Sequence, residues 1–192
     1  LIKIAVKSLG LDELGTFDPQ KKIIEYQLKS LSDAPLIGTT LAEFADETAS
    51  ESPAPGGGSI AAYVGALGVS LAVMVANLSA HKRGWDDRWQ TFSEAASKGQ
   101  QLKDRLLQLV DEDTQAFNGI MEAFRLPKSS KAEKEIRTNA IEAATRKAIE
   151  IPYAVMEESL AAFDLIIDMA KNGNPNSISD AGVGALCART AI

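Results

Sequence analysis

From Gly56 to Ala80 the chain carries no charged residue, and this run constrains the fold more than any other feature. It is entered through "SPAPGGGSIAAYVGAL", beginning at Ser52, where three consecutive glycines lead directly into the uncharged stretch. Glycine is entropically costly to order, so the triplet asks for a reason: a linker, the mouth of a binding site, or the entry to a membrane span. The length of the run suits a span. A helix that is apolar on every side is either in lipid or at the centre of a bundle. The run is rich in Ala, Gly and Ser, and both flanks are soluble in character. Its small residues Gly65, Ala66, Gly68 and Ala72 would let other helices approach closely. These features favour the centre of a bundle over the membrane.

The rest of the chain supplies the enclosing helices. Residues 1–38 read as an arm, in which Asp18 and Pro19 form an N-cap and first-turn pair for a helix through "QKKIIEYQLKS". After the loop "DAPLIG", "TLAEFADETAS" places Leu41, Phe44, Ala45 and Thr48 on one helical face. From Asp86 to Phe124 an apolar stripe at helical spacing runs from Trp89 and Phe92 through Leu106 and Leu109 to Phe117 and Phe124. Ser130 and Glu133 then make a capping box. The helix they open should kink or break near Glu150, ahead of Pro152. A further amphipathic segment ends at Gly173 as C-cap, and Ser177 with Asp180 reads as another capping box. No strand-like alternation occurs outside the arm. The expected fold is all-α, a bundle of about five or six long helices around a central small-residue apolar helix.

Composition narrows the function classes. A net charge of −6 argues against a nucleic-acid partner, which needs a basic face. With 45% apolar and 24% charged residues, the profile is that of a soluble globular chain. One cysteine, Cys187, permits no intrachain disulfide and fits a reducing compartment. Nothing resembles a signal peptide, so a cytoplasmic location is expected. The chain opens on Leu1 and stops at Ile192 inside a helical run, and it reads as a piece of a longer protein.

The informative residues are those that break the pattern. Asp113 lies four residues after Leu109 and four before Phe117, which directs its carboxylate into the apolar stripe. Asp111 and Glu112 fall off that stripe and can simply be solvated. A buried carboxylate is expensive without partners, so Asp113 is either a structural salt-bridge residue or a group at work. Lys147 repeats the anomaly on the next helix, four residues after Ala143 and four before Ile151, although a lysine can snorkel out of such a position. His81-Lys82-Arg83 closes the uncharged run, where cations suit a helix C-terminus. His81 is the only histidine, so neither a His-based metal site nor a Ser–His triad is available. Trp85 and Trp89 read as packing residues. The glycine triplet lacks the Lys-Ser/Thr of a phosphate loop, and no strand precedes it. It offers bare backbone N–H groups at a helix N-terminus, where carboxylates and other electron-rich groups bind.

Four separated segments carry a family resemblance in the right order: "PAPGGGS" at 53–59, "NLSAHKR" at 77–83, "LVDEDTQAFNGIMEAFRLPK" at 109–128 and "GNPNSISDAGVGAL" at 173–186. Residues 39–192 resemble the formimidoyltetrahydrofolate cyclodeaminase family, which includes related methenyltetrahydrofolate cyclohydrolases. "VKSLGLDELGTFDPQKKIIEY" in the arm looks like the segment that joins a formimidoyltransferase part to the cyclodeaminase part of the bifunctional enzyme. Family members often carry a Gly-Lys-Lys-like turn where this chain has His81-Lys82-Arg83, so Lys82 is the matching cation.

The resemblance implies an all-α protein, dimeric at least, that binds folate near a subunit interface without a metal or redox cofactor. It implies conversion of 5-formimidoyltetrahydrofolate, in polyglutamylated form, to 5,10-methenyltetrahydrofolate and ammonia. On this reading Asp113 is the acid and base. Lys82 and Lys147 hold carboxylates or tune the acid, Gly56, Gly57, Gly58 and Ser59 line the folate site, and Ser179 and Asp180 hydrogen-bond the pterin. The competing readings are a methenyltetrahydrofolate cyclohydrolase on the same fold and a non-catalytic helical module that assembles a larger enzyme.

Overall fold

The computed structural model of the chain describes residues 6–11, 13, 17, 22 and 36–192. It comprises two compact units, Leu1–Thr39 and Thr40–Ile192. The helix expected after Asp18 and Pro19 lies outside the described residues. In the first unit, Leu36–Gly38 form a turn of 3-10 helix, closed by the Thr39 hydroxyl donating to the Leu36 carbonyl at 2.7 Å.

The second unit is built from α1 (Leu41–Thr48), α2 (Gly57–Ala80), α3 (Trp89–Arg125), α4 (Lys131–Asn172) and α5 (Ile178–Ala191). No strand occurs among the described residues, as the missing alternation predicts. α1 starts on a capping box: the Thr40 hydroxyl accepts from the Glu43 N–H at 3.2 Å, and the Glu43 carboxylate accepts from the Thr40 N–H at 2.9 Å. The bond from the Thr40 N–H, with a second donated by the Thr40 hydroxyl at 2.9 Å, holds the Glu43 carboxyl below its ordinary pKa. Of the face predicted for α1, only Phe44 finds cover. Its ring lies 5.3 Å from that of Tyr63 on α2, while Leu41 is 73% exposed.

α2 is the central helix, packed against α3, α4 and α5. It is long and apolar enough to cross a membrane, yet 56% of its most apolar window is buried inside the protein. Its small residues act as expected. A Cβ added to Gly68 would lie 2.8 Å from the Gly184 carbonyl oxygen and 3.1 Å from the Ala188 nitrogen, so α2 and α5 meet backbone to backbone. Backbone cannot rotate away as a side chain can. Gly68→Ala is therefore expected to lower stability by about 1–3 kcal/mol, as overpacking does, measured as a shift in the urea midpoint at constant m-value.

α3 and α4 form an antiparallel pair far longer than the rest. At 37 and 42 residues they measure about 55 and 63 Å, against about 36 Å for the 24 residues of α2. The core therefore covers only part of them. Phe92, Leu106, Leu109 and Val110 of α3 are buried, but Trp89 and Phe124, at the two ends of the stripe, are 56% and 51% exposed. Trp89 is thus not the packing residue expected of it. In α4 burial begins only at Ile151.

Two predicted breaks fall differently. α4 runs through Pro152 without interruption. Proline removes only its own N–H and the contact with the carbonyl four residues back, and the buried residues Ile151 and Val155 on either side hold the helix in the bundle. Gly173 does cap α4, but with φ −76°. Its glycine is required by proximity, because a Cβ there would lie 2.7 Å from Val75 Cγ1 of α2. The capping box Ser130–Glu133 forms as expected, whereas Ser177 makes no side-chain cap. A 3-10 turn, Pro175–Ser177, leads into α5 and leaves Ser177 at ψ 18° rather than in the extended conformation a cap requires.

Candidate active site

The site forms where α3 crosses the first turn of α2. Gly56 is the N-cap of α2 and supplies no side-chain cap, so the helix N-terminus keeps its orphan N–H groups. Against this turn α3 sets Asp113. A Cβ built on Gly58 would lie 2.7 Å from Asp113 Cγ and 2.8 Å from Oδ2, and it would collide outright with Oδ1. The carboxylate thus occupies the space a side chain at Gly58 would need. The glycine stretch is thus the floor under an acid at a helix N-terminus.

Asp113 has no salt-bridge partner among the described residues. Its hydrogen bond comes from Ser59, whose hydroxyl donates to Oδ2 at 2.9 Å and lies 3.2 Å from Thr114 Oγ1. The nearest strong cation on α3, Arg105, is engaged elsewhere. It pairs with Glu112 through both nitrogens, at 2.6 and 3.3 Å, which raises the guanidinium above its ordinary pKa. Glu112 is therefore ion-paired rather than simply solvated. Gly58 also lines a cavity of about 230 Å³, together with Ala61, Pro152, Val155, Met156 and Thr190. Its walls are mostly apolar. Among the described residues no group of three His, Cys, Asp or Glu could hold a metal ion.

The other predicted site residues are placed as follows. Gly58 lies beneath Asp113, Gly56 is the N-cap of the same turn, and Gly57 faces open space. Ser59 is fully buried, and its hydroxyl is turned to Asp113. Lys147 is exposed, which corrects its inward assignment. It sits on the part of α4 that precedes the first buried residue, where even the apolar positions are not fully covered. Lys82 lies beyond the opposite end of α2, with its ammonium 4.1 Å from the centroid of Trp85. Ser179 and Asp180 belong to that far end too, because the Asn174 N–H donates to the Ser79 hydroxyl at 2.8 Å and ties the approach to α5 there. Ser59 and Ser79 are twenty residues apart on one helix, about 30 Å. One chain thus brings Gly58, Ser59 and Asp113 together and holds Lys82, Ser179 and Asp180 apart from them. Thr114 is the site residue that sequence reasoning missed, since nothing in its spacing sets it apart from a solvated helical threonine.

Fold and site together define an all-α protein with a carboxylate set against a helix N-terminus that has no side-chain cap. The family model described as Formiminotransferase-cyclodeaminase matches residues 40–192, and that of the Formiminotransferase domain matches residues 1–29. The chain belongs to the formiminotransferase-cyclodeaminase family. It is 35% identical over 192 residues to the formimidoyltransferase-cyclodeaminase of Mus musculus, spanning all of this chain and 36% of that relative. It is 36% identical over 149 residues to the methenyltetrahydrofolate cyclohydrolase of Methylorubrum extorquens, covering 78% of this chain and 72% of the relative. The crystal structure of formiminotetrahydrofolate cyclodeaminase from Thermotoga maritima superposes with a TM-score of 0.69 at 28% identity, covering 80% of this chain and 73% of that one.

Proposed function

We propose that residues 40–192 form a folate cyclodeaminase that converts 5-formimidoyltetrahydrofolate to 5,10-methenyltetrahydrofolate and ammonia. The observation that carries this reading is the Asp113 carboxylate against Gly58, with one oxygen held by Ser59 and the other accepting from no described residue. In the reaction the folate N10 attacks the carbon of the protonated formimidoyl group, and the C=N electron pair moves onto the amino nitrogen. Asp113 takes the proton from N10 and hands it to that nitrogen. The C–N bond then breaks with its electrons, ammonia leaves, and the methenyl bridge remains. One carboxyl group thus serves as base and then as acid. No step calls on a tightly bound cofactor.

Lys82, Ser179 and Asp180 bind substrate in this proposal from a second copy of the chain, because within one copy they lie about 30 Å from Asp113 along α2. The protein is then a homodimer or higher oligomer. Gly58 lines the substrate site, and Lys147 meets the substrate's outer carboxylates from the solvent side. The match of residues 1–29 to the Formiminotransferase domain supports a transferase partner in the same parent chain, as the supplier of the formimidoyl group. The lone, unpaired Cys187 supports a cytoplasmic setting.

The coverage of 72% of the Methylorubrum extorquens relative supports a second reading, hydrolysis of the methenyl bridge at the same carboxylate. The two are separated by supplying 5-formimidoyltetrahydrofolate and following ammonia together with the methenyl absorbance. Equal yields of both are expected. Loss of supplied methenyltetrahydrofolate without ammonia release from the formimidoyl compound would establish the hydrolase instead. Saturable folate binding also sets both readings apart from a purely structural module.

A further inference from the structure

We infer that Ser59 and Thr114 are positioning residues that commit one oxygen of Asp113 and leave the other to carry protons. The inference rests on the reading of Asp113 as the acid and base.

The other serine hydroxyls of α2 donate within their own helix. Ser70 donates to the Ala66 carbonyl at 2.7 Å and Ser79 to the Val75 carbonyl at 2.6 Å. Ser59 stands in the first turn, where no helical carbonyl lies four residues back, and its hydroxyl is free to leave the helix. It is fully buried, so water does not compete for it. A serine hydroxyl has one proton and two acceptor sites. Ser59 gives that proton to Asp113 Oδ2 at 2.9 Å, so across the 3.2 Å to Thr114 Oγ1 it is Thr114 that donates. The chain Thr114 to Ser59 to Asp113 thus leaves α3, passes through α2 and returns to α3. Successive donors polarise one another, and a donor to a carboxylate makes a stronger bond than one to a neutral acceptor.

Two consequences follow for proton transfer. Negative charge concentrates on Oδ2, and the proton from the substrate N10 is taken up on Oδ1, which accepts from no described residue. Oδ1 lies against Gly58, where no side chain separates it from the helix backbone. The same oxygen then delivers the proton to the departing amino nitrogen, and the carboxyl group need not turn between the two transfers. Neither Ser59 nor Thr114 touches the substrate in this arrangement. They act through the orientation of Asp113.

The test compares Ser59→Ala and Thr114→Val with the parent in ammonia release from 5-formimidoyltetrahydrofolate, with Ser70→Ala as the control for a lost helix hydroxyl. Ser59→Ala should lower kcat about 10-fold with KM within about twofold, the signature of a misaligned group rather than a lost binding contact. Thr114→Val should lower kcat about threefold in the same way, and Ser70→Ala should leave it unchanged. In an Asp113→Asn background, Ser59→Ala should cause no further fall, because the group it orients is gone. Folded Ser59→Ala protein with the parental kcat overturns the inference, as does an equal fold-loss in the two backgrounds. Should Ser59→Ala fail to fold, Thr114→Val decides, and an unchanged kcat there overturns the inference. Failure of the parent reading shows separately, as full activity in Asp113→Asn alone.

Discussion

Asp113→Asn is expected to stop ammonia release, with a fall of about 10²–10⁴-fold in kcat, the range that a positioned acid–base group contributes. The substitution is nearly isosteric. The amide oxygen of asparagine can accept from the Ser59 hydroxyl as Oδ2 does now, at 2.9 Å. The packing of α3 against the first turn of α2 should survive, and folate binding with it. What disappears is the capacity to take up a proton from N10 and return it. The measurement is a pair: the rate of ammonia release, and the thermal melt of the same preparation. A cooperative melt near that of the parent together with an abolished rate assigns the loss to chemistry. Parental turnover in a folded Asp113→Asn protein would show that the proton moves through some other group.

Gly58→Ala acts on the same carboxylate from the opposite side. Alanine in place of a helical glycine gains up to about 1 kcal/mol in helix propensity. That gain is opposed here, because the new methyl would lie 2.7 Å from Asp113 Cγ and 2.8 Å from Oδ2. Relief requires the carboxylate to move by some tenths of an ångström to an ångström, away from Ser59 and the helix terminus. Stability is therefore expected to change little, while kcat falls up to about 10²-fold, the cost of misplacing a catalytic group by that much. Gly119 on α3 shows the contrast, since a Cβ there meets nothing within 4 Å. Gly119→Ala should raise the urea midpoint and leave turnover unchanged. Equal kcat values for the Gly58→Ala and Gly119→Ala proteins would detach the glycine triplet from the chemistry.

Much of this architecture is legible in the sequence, and what is not has definite causes. The uncharged run declares α2 because a helix with eleven buried residues and no charge needs cover on several sides. Asp113 is legible because its neighbours at helical spacing, Leu106 and Leu109, are fully buried. The same logic fails at Lys147, since periodicity records which face a residue shares but not how completely that face is covered. It fails at Pro152 because packing on both sides outweighs the loss of one helical hydrogen bond. Ser59 is legible as a residue beside the glycines but not as a fully buried one, because burial at a helix start depends on what crosses it. Thr114 leaves no trace at all. A helical threonine usually bonds back to its own turn, and only the arrival of Ser59 from another helix gives it a different partner.

The unequal helix lengths divide the molecule in time as well as in space. The portions of α3 and α4 that outrun α2 carry few buried residues, with Ala116 and Ala123 the buried positions of α3 beyond Asp113 and none in α4 before Ile151. Segments of that kind open locally at far lower free energy than the core and exchange their amide hydrogens sooner. Asp113 stands at the boundary between the two regimes. Fraying that reaches it from the hairpin would release the carboxylate from Gly58 before α2 itself loosens. Whatever binds the overhanging pair would slow that fraying, so the lifetime of the assembled site would answer to contacts made far from the substrate.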